Sequence, residues 1–259
     1  MSWSAKQYTA FEDERTRPVK DLLSAVPAVE ARSVVDLGCG PGNSTEVLAA
    51  RFPNAAVQGI DSSSDMISAA RKRLPQAQFT IMGIEEWRDP GPFDVMLANA
   101  VLQWVPDHGT LLPALIARLA PGGALAIQMP DNLDVPAHQL MRETAADGPW
   151  EQLLASASTS RTPIGSANDY YRMLRPVCGK VDIWRTTYYH PLAGGAPAIV
   201  EWFKGSGLRP FLEPLDSASR AAYLERYTAA VAGAYPALED GSVLLPFPRL
   251  FIAAIRGAR

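Results

Sequence analysis

The sequence predicts an α/β protein built on a doubly wound, mostly parallel sheet of seven strands. Along the first half of its 259 residues, short apolar segments alternate with amphipathic segments, which is the pattern of parallel strands joined by helices. A glycine-rich turn follows the first apolar segment, and an acidic residue ends the second. Open α/β sheets bind their ligands at such strand ends.

Seven segments have the apolar character of strands. In chain order they are SVVDLGC, AVQGID, AQFTIMGI, FDVMLANAVLQWV, PGGALAIQMP, KVDIWRTTYYH and PRLFIAAIR. Asn43 or Ser44 is the predicted N-cap of the helix after the first strand, and a second helix is predicted to begin at the serines 62–64, because these residue types favour helix N-termini. A further helix is predicted in GTLLPALIARLA, before the fifth strand.

Two regions lack this regular alternation. They cover about residues 131–180 and 191–246, and they are rich in Trp, Tyr and Pro. We predict that they form helical cap insertions over the carboxyl ends of the strands. The whole chain, 1–259, is predicted as a single domain that begins with a lid helix over about residues 1–25.

Composition argues against several classes of function. The net charge is −3 and no run of more than three Lys and Arg residues is present, so a nucleic-acid surface is not expected. Two cysteines are too few for a disulfide framework and match no metal-ligand spacing. Because no segment has the character of a signal peptide or membrane span, we expect a cytoplasmic protein with no metal, no membrane contact and no obligate protein partner.

The glycine turn has the spacing Gly38-x-Gly40-x-Gly42. Glycines in such a turn let the backbone approach a ligand closely. The dinucleotide fingerprint would require a further glycine where Asn43 stands, and Pro41 has no N–H to offer a pyrophosphate. A nicotinamide-dependent oxidoreductase is therefore disfavoured.

Asp61 ends the second predicted strand, about 20 residues beyond the glycine turn. A carboxylate at this place can accept hydrogen bonds from both hydroxyls of a ribose. It can also cap the helix predicted to start at residues 62–64, and the two roles can coexist.

The motifs VVDLGCGPG, GIDSS, NAVLQWV and LAPGGALAIQMP, in this order between residues 34 and 130, resemble those of the class I S-adenosylmethionine-dependent methyltransferases. The resemblance implies a Rossmann-like fold and S-adenosyl-L-methionine as cofactor. The positions it assigns to the cofactor are Tyr8, Arg15, Asp36, Gly38, Gly40, Gly42, Asp61, Ser62, Met66, Gly83, Ile84 and Asn99.

Two of these assignments carry alternatives. The family often has an acidic residue for the adenine amino group where Gly83 stands, so Glu85, Glu86 or backbone groups would take that part. Tyr8 and Arg15 share one face of the predicted first helix. They would cover the methionine end of the cofactor, or that helix would simply pack on the sheet.

Six further segments extend the resemblance over nearly the whole chain. They are YTAFEDERTRPVKDLL, LQWVPDH, QMPDN, VDIWRTTYYH, GLRPFL and FPRLFIAAIR, and they are similar to those of family members that methylate a carboxylate of a small tricarboxylic acid. Such a carboxylate is ionised at neutral pH and needs no general base. We therefore predict no acid–base catalyst, and a mechanism of proximity and alignment.

A tricarboxylate taken out of water needs cationic and hydrogen-bonding partners. The candidates are Arg17, Gln103, Trp104, Arg185, Tyr189, Arg209 and Arg249. Each arginine could instead form a structural ion pair, and Trp104 could be a core residue. Period-two alternation would place Arg185 and Tyr189 on one face of a strand, and Tyr188 and His190 on the other.

Three other functions stay open at this point. The chain could methylate another small molecule, or it could bind the cofactor without catalysis. An RNA methyltransferase is disfavoured by the acidic balance and by the lack of an appended RNA-binding module.

Overall fold

The computed structural model describes residues 12–27, 30–159 and 163–257. Its strands are β1 (Ser33–Leu37), β2 (Ala56–Asp61), β3 (Gln78–Ile81), β4 (Phe93–Asn99), β5 (Leu119–Pro130), β6 (Cys178–Ala193) and β7 (Ser242–Arg256). Its helices are α1 (Glu12–Ser24), α2 (Asn43–Arg51), α3 (Ser64–Arg73), α4 (His108–Ile116), α5 (Pro136–Ala146), α6 (Glu151–Ser158), α7 (Ala167–Leu174), α8 (Ala196–Lys204), α9 (Arg209–Leu212) and α10 (Ser217–Ala234), with a 3₁₀ turn at Leu102–Trp104.

The strands form one seven-stranded sheet in the order β3-β2-β1-β4-β5-β7-β6. β1 pairs in parallel with both β2 and β4, and the pairs β2–β3 and β4–β5 are also parallel. The predicted doubly wound, mostly parallel sheet is confirmed. The strand order reverses between β1 and β4, and the carboxyl ends of strands at such a switch point form the ligand-binding crevice of this architecture.

The chain divides into two compact units. Unit 1 comprises Met1–Pro130, Ile164–Thr186 and Leu250–Arg259, and unit 2 comprises Asp131–Pro163 and Thr187–Arg249. Strands β6 and β7 each contribute residues to both units. That the helical regions cap the strand ends stays a prediction.

The central strands of unit 1 are buried because helices can cover both faces of a parallel sheet. Val35, Met96 and Leu125, from β1, β4 and β5, are all fully buried. The start of β1 is fixed by Asp94, whose carboxylate accepts hydrogen bonds from the amides of Arg32 and Ser33 at 2.7 and 3.0 Å.

Unit 2 is held together by tyrosines that reach the backbone of α5. The hydroxyls of Tyr223 and Tyr227 on α10 donate to the carbonyls of Met141 and Ala137 at 2.9 and 3.0 Å. The hydroxyl of Tyr235 accepts from the Ala137 amide at 3.1 Å. Each buried hydroxyl thus has a partner, as burial requires.

Among the described residues, no helix combines the length and apolar character needed to cross a membrane. The same part of the chain contains no group of three or more His, Cys, Asp and Glu side chains arranged to hold a metal ion.

Candidate cofactor-binding site

The loop after β1 uses its glycines for different physical reasons. Gly38, Gly40 and Gly42 have φ angles of +69°, +54° and +91°, a region that side chains disfavour. A Cβ on Gly38 would lie 2.3 Å from Cγ2 of Val101, whereas a Cβ on Gly40 would meet no atom within 4 Å. Gly38 is therefore required by packing, and the space beside Gly40 is open to a ligand.

Asp61 ties this loop to the end of β2. Its Oδ2 accepts from the Gly40 amide and its Oδ1 from the Ser63 amide, both at 2.9 Å. The N-cap of α3 is Ser63, whose Oγ accepts from the Met66 amide at 3.4 Å, so Asp61 is not the capping side chain. Each of its carboxylate oxygens keeps a lone pair, and this leaves room for the two hydroxyls of a ribose.

Asp36 is fully buried two residues before Gly38. Its Oδ2 accepts from the hydroxyls of Ser44 and Thr45, both at 2.7 Å. Its Oδ1 has no hydrogen-bond partner among the described residues. Burial raises the pKa of this carboxyl to about 7, the two hydroxyls oppose the rise, and the charge of Asp61 adds to it.

The predicted N-cap of α2 is wrong. Neither Asn43 nor Ser44 caps the helix; the N-cap is Gly42, in a left-handed conformation and with no side chain to donate or accept. The Ser44 hydroxyl instead donates to Asp36, because a buried carboxylate needs hydrogen-bond donors.

The carboxyl end of β4 presents amide oxygens. Gln103 is buried, and its Nε2 donates to the carbonyl of Ala100 at 2.7 Å. Its Oε1 and the Oδ1 of Asn99 are buried with no hydrogen-bond partner in the described parts of the chain. Two buried acceptors without a donor in the described chain fit a ligand that has N–H groups.

The segment after β3 is hydrogen-bonded to the end of β2. The Met82 amide donates to the carbonyl of Asp61 at 2.9 Å, and the next residue, Gly83, has open space beside its Cα. Ile84 and Met66 are buried. The assignment of Gly83 and Ile84 to an adenine ring stays a prediction.

The remaining members of the predicted cofactor set are less informative. Ser62, Glu85 and Glu86 are exposed. Tyr8 lies outside the described residues, as does the side chain of Arg15. The predicted lid therefore stays a prediction.

A partly buried hydrogen-bonded pair, which the sequence did not indicate, supports the loop after β4. His108 Nε2 lies 2.9 Å from the carbonyl of Leu102, and His108 Nδ1 lies 2.8 Å from the hydroxyl of Tyr170. That hydroxyl also accepts from the Gly165 amide at 3.2 Å. Since the carbonyl can only accept, Nε2 is the donor and the ring is held in one orientation.

Two of the predicted substrate residues in unit 1 are exposed arginines. Arg17, on α1, lies 4.0 Å from Asp21. Arg185 is exposed on β6. Trp104 is 37% exposed, so it is not a fully buried core residue.

In unit 2 the predicted substrate residues differ sharply in environment. Tyr189 is 64% exposed, and Arg209 pairs with Glu213 at 2.5 Å. Arg249 is only 4% exposed, with its guanidinium carbon 4.6 Å from the ring centre of Phe247 and 6.0 Å from that of Tyr188.

The burial pattern of β6 follows the predicted alternation. Arg185 and Tyr189 are exposed, whereas Tyr188 and His190 are buried. His190 stacks on Trp202 at 4.6 Å between ring centres.

Comparison with known proteins identifies the family. A methyltransferase domain model matches residues 10–176. Trans-aconitate 2-methyltransferases from Rhodopseudomonas palustris strain BisB5 and Methylobacterium nodulans are each 55% identical to the chain over 254 residues, covering 98% of it and 99% and 98% of their own lengths. The chain belongs to the trans-aconitate 2-methyltransferase family. The family relationship predicted from the motifs is thus confirmed.

Solved structures show the same fold in more distant proteins. The YcgJ protein of Bacillus subtilis superposes with a TM-score of 0.61 at 12% identity, over 93% of this chain and 99% of its own. A phosphoethanolamine N-methyltransferase of Haemonchus contortus, solved with S-adenosylhomocysteine, gives a TM-score of 0.56 at 15% identity, over 93% of this chain and 53% of its own. At these identities the likeness supports the fold alone.

Proposed function

We propose that this protein is an S-adenosylmethionine-dependent carboxyl O-methyltransferase, which converts trans-aconitate to its monomethyl ester and S-adenosylhomocysteine. The observation that carries the proposal is the 55% identity to a trans-aconitate 2-methyltransferase over 98% of the chain. That identity runs through unit 2 as well as the sheet, and methyltransferase subfamilies differ most in such insertions.

The residues at the switch point of the sheet fit the cofactor. Asp61 offers a carboxylate to the ribose hydroxyls, and the open space beside Gly40 lets the backbone approach the methionine portion. The buried amide oxygens of Asn99 and Gln103 suit an ammonium group. When bound, S-adenosylmethionine supplies an electrophilic methyl group on a sulfonium.

No general base is needed for this reaction. The substrate carboxylate is already ionised at neutral pH and is itself the nucleophile. The protein's part is to hold a carboxylate oxygen in line with the methyl group, about 3–3.5 Å away. The environments of the histidines agree with this view, since His108 is held by Leu102 and Tyr170, and His138 and His190 are buried against aromatic rings.

Among the predicted substrate arginines, Arg249 is the strongest candidate. Its guanidinium is buried and lies over the ring of Phe247, which fixes the plane of the fork that grips a carboxylate bidentately. The Oε1 of Gln103 suits the ammonium group of the cofactor, and its role as a substrate residue stays a prediction. Roles for Arg17, Trp104, Arg185, Tyr189 and Arg209 stay predictions, as do the cytoplasmic location and the absence of nucleic-acid, membrane and protein partners.

The test is a radiolabel transfer assay with S-adenosylmethionine labelled in the methyl group. The panel of acceptors is trans-aconitate, cis-aconitate, citrate, isocitrate and itaconate. We expect base-labile label chiefly with trans-aconitate, as a carboxyl ester requires. Transfer to none of these acids, with cofactor binding intact, would refute the substrate and leave a methyltransferase of another molecule or a non-catalytic cofactor-binding protein.

A further inference from the structure

Asp36 is a buried carboxylic acid that the resemblance assigns to the cofactor, but methyl transfer as described above gives its proton no part. It lies in the centre of the sheet, opposite Gly59 of β2 and Leu97 of β4. One carboxyl oxygen takes both available hydroxyl donors, from Ser44 and Thr45. The other oxygen is buried and has no partner among the described residues.

The charged and titratable groups around Asp36 are acidic. The glycine loop contributes the buried thiol of Cys39 and β2 contributes the carboxylate of Asp61, both of which interact with Asp36 electrostatically. The adjoining strand β4 places only Leu97 opposite it, and on α2 the carboxylate of Glu46 is paired with Arg73.

No described Lys, Arg or His forms an ion pair with Asp36 in this arrangement. A carboxylate buried without a cation holds its proton more tightly than one in water. Its pKa of about 7 means that a modest local positive charge would shift the balance between its two forms. Because Asp36 and Asp61 flank the same loop, a ligand lying against Gly40 would act on both.

We propose that Asp36 releases a proton when S-adenosylmethionine binds, and that its carboxylate makes the site discriminate between this cationic cofactor and the neutral product. The proposal rests on the proposed function. S-adenosylmethionine carries a sulfonium, an ammonium and a carboxylate, whereas S-adenosylhomocysteine lacks the sulfonium charge. In a buried site, one unit of charge acts strongly on a nearby acid.

The proton balance of this step is simple. On cofactor binding the O–H bond of the Asp36 carboxyl breaks, its electron pair stays on oxygen and the proton passes to the buffer. After methyl transfer the thioether is neutral, so Asp36 takes up a proton again. The attraction that held the cofactor is thereby lost, which favours exchange of product for a new cofactor.

The first experiment is titration calorimetry at pH 7 in phosphate and in Tris, two buffers of different ionisation enthalpy. The wild-type protein should release about half a proton per S-adenosylmethionine bound and clearly less for S-adenosylhomocysteine. Affinity for S-adenosylmethionine should rise about tenfold from pH 5.5 to 7, since binding favours the ionised acid. The α-amino groups of both ligands stay protonated over that range.

Three variants sharpen the test. Asp36→Asn should abolish the proton release and make the ratio of the two affinities independent of pH, while the exposed control Asp182→Asn should behave as wild type. Thr45→Val removes a hydroxyl that favours the ionised form, so it should move the midpoint of the affinity curve to higher pH. It serves as the test if Asp36→Asn fails to fold, as judged by circular dichroism.

The outcomes separate the two proposals. Cofactor binding without proton release in the wild type, or release that persists in Asp36→Asn, would overturn the role of Asp36 and leave the proposed function intact. An unmoved midpoint in Thr45→Val would also count against it. A wild-type protein that binds no S-adenosylmethionine would overturn the proposed function itself.

Discussion

At the scale of single residues, Gly38 and Gly40 differ in what surrounds them. Both have positive φ angles, but Gly38 faces Val101 and Gly40 faces open space. The left-handed conformation costs an alanine about 1–2 kcal/mol at either position. Only at Gly38 does overpacking against Val101 add about 1–3 kcal/mol.

We expect the two alanine variants to fail in different ways. Gly40→Ala should lose only about 1–2 kcal/mol, the cost of the left-handed conformation, but it should bind S-adenosylhomocysteine at least tenfold more weakly, because its methyl group enters the space of the ligand. Gly38→Ala should lose the larger share of stability. Urea denaturation and calorimetry measure the two quantities. Wild-type affinity in Gly40→Ala would contradict the placement of the cofactor.

Residue by residue, the sequence predicted the glycines and Asp61 because their spacing is typical of a ligand-binding turn between a strand and a helix. It missed the bonds of Ser44 and Thr45 to Asp36. A hydroxyl at the start of a helix has the same sequence signature whether it caps the helix or serves a buried acid. Only the three-dimensional position of Asp36 distinguishes the two roles.

At the scale of elements, the loop after β4 is held in place by a helix distant in sequence. Tyr170 on α7 bonds through its hydroxyl to His108, next to that loop, and to the Gly165 amide. Its ring is fully buried. Losing this hydroxyl leaves two partly buried polar groups, on His108 and Gly165, without their partner.

Tyr170→Phe should therefore lower the free energy of unfolding by about 1–3 kcal/mol. The control is Tyr171→Phe, because Tyr171 is the next residue on α7 and is largely exposed; its change should stay within about 0.5 kcal/mol. The midpoints of urea denaturation measure both effects. Equal stability of the two variants would show that the hydroxyl of Tyr170 contributes nothing.

Strands β6 and β7 carry two of the predicted substrate residues of unit 2, Tyr189 and Arg249. Period-two alternation predicted which side chains of β6 share a face, and the exposure of Tyr189 and burial of Tyr188 follow it. The sequence did not indicate which face is buried, because that depends on the elements packed against it. The burial of Arg249 beside Tyr188 and Phe247 likewise depends on packing that the sequence pattern does not show.

Arg249→Lys keeps the charge but loses the planar fork. If Arg249 binds a substrate carboxylate, its replacement should raise the KM for trans-aconitate roughly tenfold to a hundredfold, the range for a hydrogen bond to a charged group. The affinity for S-adenosylhomocysteine should not change. Arg220→Lys is the matched control, because Arg220 donates to the carbonyls of Leu212 and Leu215. An unchanged KM in Arg249→Lys would remove it from the substrate site.

At the scale of the whole molecule, the regular part of the fold was the predictable part. In unit 1, most of the strands β1 to β5 are separated by helices, and each of these five pairs in parallel with a neighbour, so local periodicity carries the topology. Unit 2 is assembled from segments far apart in the chain, such as α5 and α10, joined by Tyr223 and Tyr227. Contacts at such separations leave no periodic signal, so its boundaries were only approximate.

The stability of the whole chain also reflects carboxyl groups that titrate in opposite directions. Asp107, Asp169, Asp216 and Asp240 accept hydrogen bonds at helix starts and turns, which lower their pKa values. Their contribution is present above about pH 4 and is lost as pH falls through their folded pKa values. Asp36 has a raised pKa, so its contribution to stability is lost as pH rises.

The ligand-free protein should therefore lose stability as pH rises from about 4 to about 7. Folded Asp36 stays protonated up to about pH 7, whereas an ordinary aspartic acid, as in the unfolded chain, has a pKa of 3.8. The unfolded chain thus releases this proton first and is stabilised relative to the folded one as pH rises. The loss should be on the order of 4 kcal/mol, which corresponds to about three pKa units.

Asp36→Asn should flatten the dependence of unfolding free energy on pH and exceed wild type in stability at pH 8. Urea midpoints across this range decide, and parallel curves for the two proteins would show that Asp36 is ionised in the folded state throughout.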